Sequence, residues 1–122
     1  MECQRPKPLH TDRLKLALSR RRERNEASRL AVLNQVKDWL ASKGKDYGIH
    51  QAYIFGSVVR PYHFTEQSDV DVAVDSVLSE YFFDAMAGLS EAIGREVDLV
   101  DLSKCHFAER IRQRGLLWRR TI

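Results

Sequence analysis

Cysteine is scarce in this chain, with Cys3 and Cys105 the only two. Two thiols cannot build a disulfide framework, and neither has a partner at zinc-ligand spacing. Cys105 and His106 are adjacent, but no second such pair follows, so no structural zinc is expected. The four scattered histidines read as surface or hydrogen-bonded residues. Long apolar runs are missing as well. None approaches a membrane span, and Met1 to His10 has no apolar stretch of the signal-peptide kind, which points to a soluble cytoplasmic protein. The chain has no Gly-x-x-x-x-Gly-Lys-Ser/Thr, which argues against a P-loop NTPase. No Ser/His/Asp or Cys/His arrangement is legible. No helix-turn-helix or other nucleic-acid-reading motif is present either.

What remains is an ordinary globular composition. The 122 residues, 43% of them hydrophobic, suffice for one core and leave little room for a second. Residues 1–10 are expected to form a loose tail. Residues 11–122 are expected to form a single domain with an N-terminal helical extension. The net charge of +3 is unevenly spread. Arg20, Arg21, Arg22, Arg24 and Arg29 crowd one end, Arg110, Arg112, Arg114, Arg119 and Arg120 the other, and Glu66 to Asp101 between them is acidic. The basic ends read first as solvated helix faces and second as contacts to phosphates or an acidic partner.

The pattern of elements is helix, strand, strand, helix, strand, helix. Thr11 or Asp12 can cap a helix running to about Lys43, with Leu30, Val32, Leu33, Val36, Trp39 and Leu40 as its apolar stripe. A break is expected at Asn25 to Ser28, and Gly44 stops the helix. Ile49 to Phe55 is a strand candidate ending at Gly56-Ser57, and Val58 to Ser68 reads as a short helical turn and a polar loop. Asp69 to Val74 alternates as a strand does. Ser79 can cap a helix to Gly94, with Phe82, Phe83, Met86, Leu89 and Ile93 on its apolar face. Glu96 to Leu102 alternates again. Ser103 can cap a last helix that stops at Gly115, and Leu116 to Trp118 adds a terminal strand or clip. The fold class is α/β (α+β), a small mixed sheet with helices on one side.

The chemistry-bearing residues fall at the strand ends. Asp69 and Asp71, two apart in a strand, point to one face while Val70, Val72 and Val74 enter the core. Two carboxylates that close repel, so a cation between them is expected. Oxygen ligands without compatible Cys or His favour Mg²⁺ or Mn²⁺ over zinc. Asp98, midway along the next strand, joins them if the two strands are neighbours. Three carboxylates can hold two metal ions roughly 3.5–4 Å apart for in-line attack at phosphorus. Asp98 is then placed to take the attacking hydroxyl's proton. Asp75 and Asp101 are expected to turn away to solvent. At Gly56-Ser57 the backbone can approach a ligand and aim N–H groups and a hydroxyl at an anion, with Arg60 adding charge. An Asp-x-Asp can also be nothing more than a solvent-facing strand, but its conjunction with Gly-Ser and Asp98 is more specific.

Phe55-Gly56-Ser57-Val58-Val59-Arg60, then Ser68-Asp69-Val70-Asp71, then Val97-Asp98-Leu99-Val100 resembles the DNA polymerase β-like nucleotidyltransferases, and among them the minimal nucleotidyltransferases. The resemblance spans about residues 30 to 118. It implies that Asp69, Asp71 and Asp98 are catalytic and bind Mg²⁺, and that Gly56, Ser57 and Arg60 bind the nucleotide, ATP. It also implies an antitoxin that transfers AMP to a tyrosine of a HEPN-domain ribonuclease toxin and so silences it. The alternative is an antitoxin that neutralises its partner by binding alone. DNA contact through the arginine-rich ends, for autoregulation, ranks below both. The sequence departs from the family pattern in the linker Val58 to Ser68, which is longer by a residue, and at Pro61, where a glycine commonly follows the arginine.

Overall fold

The computed structural model describes residues 8–75 and 79–121. Of the expected tail, residues 1–10, residues 1–7 lie outside the described residues, and residues 8–10 are not loose but form the start of the first helix.

Helix α1 runs unbroken from Pro8 to Lys43. Thr11 and Asp12 are inside it rather than capping it, and the break expected at Asn25 to Ser28 does not occur. The reason is a local ion pair that also makes contacts far along the chain. Glu26 and Arg29, one turn apart, pair through two hydrogen bonds of 2.9 and 2.6 Å. The same Arg29 donates to the Val58 carbonyl at 3.1 Å, and Glu26 accepts from the Tyr62 N–H at 2.7 Å. The supposed breakpoint is thus where the helix grips the linker. Beyond it, Val32, Val36, Trp39 and Leu40 are buried, whereas Leu30 is 48% exposed, since it points away from that stripe. The helix gives way at Gly44 to a 3-10 turn, Gly44–Tyr47, and the left-handed residue that ends this turn is Gly48, with φ 81°.

Strand β1 (Gln51–Phe55) pairs antiparallel with β2 (Val70–Val74), and β2 pairs parallel with β3 (Val97–Asp101). A parallel pair needs a crossover, and α2 (Phe82–Ile93) supplies it. It follows a 3-10 turn, Ser79–Tyr81, so Tyr81 is at its N-cap position; the cap expected from the Ser79 side chain lies outside what is described. Ala85, Leu89 and Ile93 are buried, with Phe82 and Met86 packed beside them, while Phe83 is 74% exposed. One residue past Phe82 the helix has turned about 100° away from the sheet. After β3, a 3-10 turn capped by Asp101 leads to α3 (Ala108–Arg114), shorter than expected from a Ser103 cap. Ser103 instead bonds back to Asp101. Strand β4 (Leu116–Arg119) then adds antiparallel to β1, giving the order β3-β2-β1-β4.

This is the expected small mixed sheet with helices, and its two faces differ. One carries Ala52, Ile54, Val70, Val72, Val74, Val97 and Leu99 into the main core, under α1 and α2. The alternate residues Tyr53, Phe55, Ala73 and Val100 face a second, smaller core with Leu102 and with Ala108 and Ile111 of α3. The two long helices therefore share one side, and the short α3 covers part of the other. Among the described residues no helix is long and apolar enough to cross a membrane.

Candidate active site

The site builds from the end of β1. Phe55 pairs with Asp71 across the antiparallel ladder, and the chain then enters a 3-10 turn, Gly56–Val59. Gly56 has φ 81°, and a Cβ there would run into the Asp71 carboxylate oxygen Oδ2. Both the left-handed backbone and the close approach of Asp71 demand glycine. Ser57 is half-buried in the turn, and Arg60 follows it, exposed.

Asp71 lies directly beside Asp98 in the parallel register of β2 and β3. Side chains of paired residues in neighbouring strands share a face, with the backbones about 4.8 Å apart. The condition for Asp98 to join the pair is met. Asp69, exposed, stands one residue before β2 begins, at its mouth. Asp71 is half-buried, and its carboxyl is pushed up to about 6, first by burial, then by the charge of Asp98 and then by that of Asp69. Val70, Val72 and Val74 are fully buried on the opposite face, so the register of the strand cannot slip without exposing them.

Among the described residues no three Asp, Glu, His or Cys side chains are already gathered into a closed metal cage. A hard divalent ion needs none. Mg²⁺ is commonly held by one or two carboxylates together with substrate phosphates. Asp71 and Asp98, side by side, with Asp71 lifted by burial and by the charges of Asp98 and Asp69, fit such an ion in charge and in chemistry.

The linker from Val58 to Ser68 is anchored along its length. Val58 and Phe64 are buried in the main core. Arg29 and Glu26 hold its first half, as above. The Arg95 guanidinium donates to the Thr65 and Ser68 carbonyls at 3.1 and 2.9 Å and lies over the Phe64 ring at 4.3 Å. Ser68 immediately precedes Asp69, so this clamp fixes where the carboxylate strand starts. Tyr62, next to Pro61, adopts a left-handed φ of 65°, held by its N–H bond to Glu26.

Asp75 and Asp101 do not turn to solvent as expected. Asp75 has the same parity as Asp71 and is half-buried, accepting from Arg112 at 2.9 Å and from Gln51 at 2.8 Å. Asp101 is half-buried and caps the turn after β3.

A cavity of about 530 Å³ opens beside Gly56, lined by Phe55, Gly56, Val59 and Arg60 on one side and by Phe107, Arg110, Ile111 and Arg114 on the other. The second wall was missed in the sequence, where the C-terminal arginines read as a solvated helix face. The signal was the spacing of Arg110, Ile111 and Arg114, which puts two cations and a core residue on one side of a helix.

The Polymerase beta, Nucleotidyltransferase family matches residues 34–120, and the chain belongs to it. Among solved structures, a crystal structure of the toxin–antitoxin MntA-HepT is similar at 21% identity and a TM-score of 0.46, over 78% of this chain and 72% of that one. No curated protein sequence matches the chain.

Proposed function

We propose that the protein is a nucleotidyltransferase antitoxin that transfers AMP from ATP to a tyrosine of a HEPN-domain ribonuclease toxin. The observation that carries the chemistry is the pairing of Asp71 with Asp98 on adjacent strands, with Gly56 packed against the same carboxylate. The antitoxin role and the HEPN partner extend the resemblance of the motifs to the minimal nucleotidyltransferases.

In this reading the Gly56 turn, the Ser57 hydroxyl and the Arg60 guanidinium hold the phosphates of ATP. Asp69, Asp71 and Asp98 would hold Mg²⁺ or Mn²⁺, which supplies charge neutralisation at the phosphates and acidifies the acceptor hydroxyl. Asp98, exposed at the rim, takes up the tyrosine proton. The tyrosine oxygen bonds to the α-phosphorus, the bond from that phosphorus to the bridging oxygen breaks, and pyrophosphate leaves. Glycine at 56 keeps Asp71 and the phosphate turn in contact range. In this reading the partner's surface selects the acceptor.

Labelled ATP, Mg²⁺ and the HEPN product of a neighbouring gene test this directly. Label is expected on a partner tyrosine and is expected to vanish in Asp69→Asn/Asp71→Asn. Absence of transfer, or transfer undiminished in that variant, overturns the reading. Protection of toxin-expressing cells by the double variant would establish neutralisation by binding alone instead.

A further inference from the structure

From Glu26 onward the described part of the chain holds eight arginines, and their partners divide them sharply. Arg29 pairs with Glu26, Arg95 holds the linker, Arg112 pairs with Asp75, Arg119 bonds Gln51, and Arg120 bonds three carbonyls. The guanidinium groups of Arg60, Arg110 and Arg114 have no hydrogen bond or salt bridge among the described residues, and all three line the same cavity. None of the residues lining that cavity is acidic. Arg110 and Arg114, four apart on α3, repel one another across one helix face, whereas Arg112, between them, turns away to Asp75. Three cations around one opening, with no carboxylate among its lining residues, favour an anion there.

The geometry points to α3 as the second wall of the phosphate site: Arg110 and Arg114, with Arg60 opposite, hold the β- and γ-phosphates of the nucleoside triphosphate and then the departing pyrophosphate. This rests on the reading that the site takes such a substrate. The direction follows from charge. The α-phosphate must meet the aspartates, and the rest of the polyphosphate is repelled by them and drawn past Gly56 into the cavity. A volume of about 530 Å³ suits a small ligand rather than a lone ion. Guanidinium forks match phosphate oxygens two at a time. Phe55 and Phe107 line the same cavity beside the arginines. When the α-phosphorus–oxygen bond breaks, the bridging oxygen carries the electron pair away with the pyrophosphate, and the arginines neutralise that charge.

Inorganic tripolyphosphate, titrated calorimetrically without divalent cation, is the probe. It needs neither the aspartates nor an acceptor. Arg110→Ala and Arg114→Ala are each expected to weaken binding about tenfold, and Arg114→Lys less. Arg112→Ala, which removes the same charge from the other side of the helix, is expected to leave it within twofold. Tripolyphosphate is also expected to slow amide exchange in 108–114. All three side chains are exposed and the variants are expected to fold, checked by their unfolding temperatures. Unchanged binding in the Arg110 and Arg114 variants, or an equal loss in Arg112→Ala, overturns the clamp. Arginine-dependent binding with no AMP transfer to any partner would uphold the clamp and overturn the transfer reading. Wild-type transfer rates in Arg110→Ala/Arg114→Ala would do the reverse.

Discussion

Two groups of carboxylates stand at opposite ends of the linker and have opposite electrostatics. Glu26 faces Arg29 and the Tyr62 N–H, and these hold its carboxyl down to about 2. Asp71 faces burial and two more carboxylates, which push it up to about 6. The first group satisfies every charge it contains, and Arg29 is 7% exposed. The second satisfies none internally. A fold gains from the first arrangement and loses from the second, so the second is maintained against stability. Residues that oppose the stability of their own fold are where a ligand is expected.

Substitutions can break this contrast from either side. Asp71→Asn is expected to reduce AMP transfer on the order of a thousandfold, while raising the unfolding temperature of the metal-free protein at neutral pH. A variant that lost both would place Asp71 in the scaffold. Arg29→Ala should do the opposite, costing about 3–5 kcal/mol in a denaturant titration, because it leaves Glu26 and the Val58 carbonyl without their partner. A loss below about 1 kcal/mol would mean that the clamp is incidental.

The pH dependences have opposite signs. For Glu26 the folded value lies below the unfolded one, so its stabilisation is present above the unfolded carboxylate value of about 4.3 and is lost as pH falls toward 2. For Asp71 the folded value lies above the unfolded one. The folded state binds the extra proton between about 4 and 6, and stability falls as pH rises through that window. Comparing Glu26→Gln and Asp71→Asn with the parent across pH 2 to 7 should flatten the acid limb in one and the upper limb in the other. The smallest shift in unfolding temperature is expected from Arg112→Ala, because its pair with Asp75 is partly solvated.

The sequence revealed one of these two regions and concealed the other. Asp69, Asp71, Asp98 and Gly56-Ser57 were legible because strand alternation fixes which way each side chain points, and the buried valines leave one register. The Glu26–Arg29 clamp was not. Asn25 and Ser28 are weak helix formers, and the distant Val58 carbonyl and Tyr62 N–H, which no spacing reveals, hold Arg29 and Glu26 in place there. The cavity arginines were hidden for a related reason. Spacing puts Arg110 and Arg114 on one face of α3, but only the second core, built from Ala73, Leu102 and Ile111, turns that face toward Arg60. Asp75 was misread because its partner, Arg112, is supplied by the same helix.

Arg120 ties the last strand to the end of the first helix. Its guanidinium takes the Leu40, Ala41 and Ile49 carbonyls at 3.0 to 3.1 Å, two of them from the last turn of α1, where helical partners run out. Strand β4, just before it, carries α3 into place. Loss of the Arg120 side chain would therefore act at a distance, freeing the end of the first helix and loosening the wall that holds two of the cavity's three arginines. A change far from the aspartates would thus be felt at the candidate site.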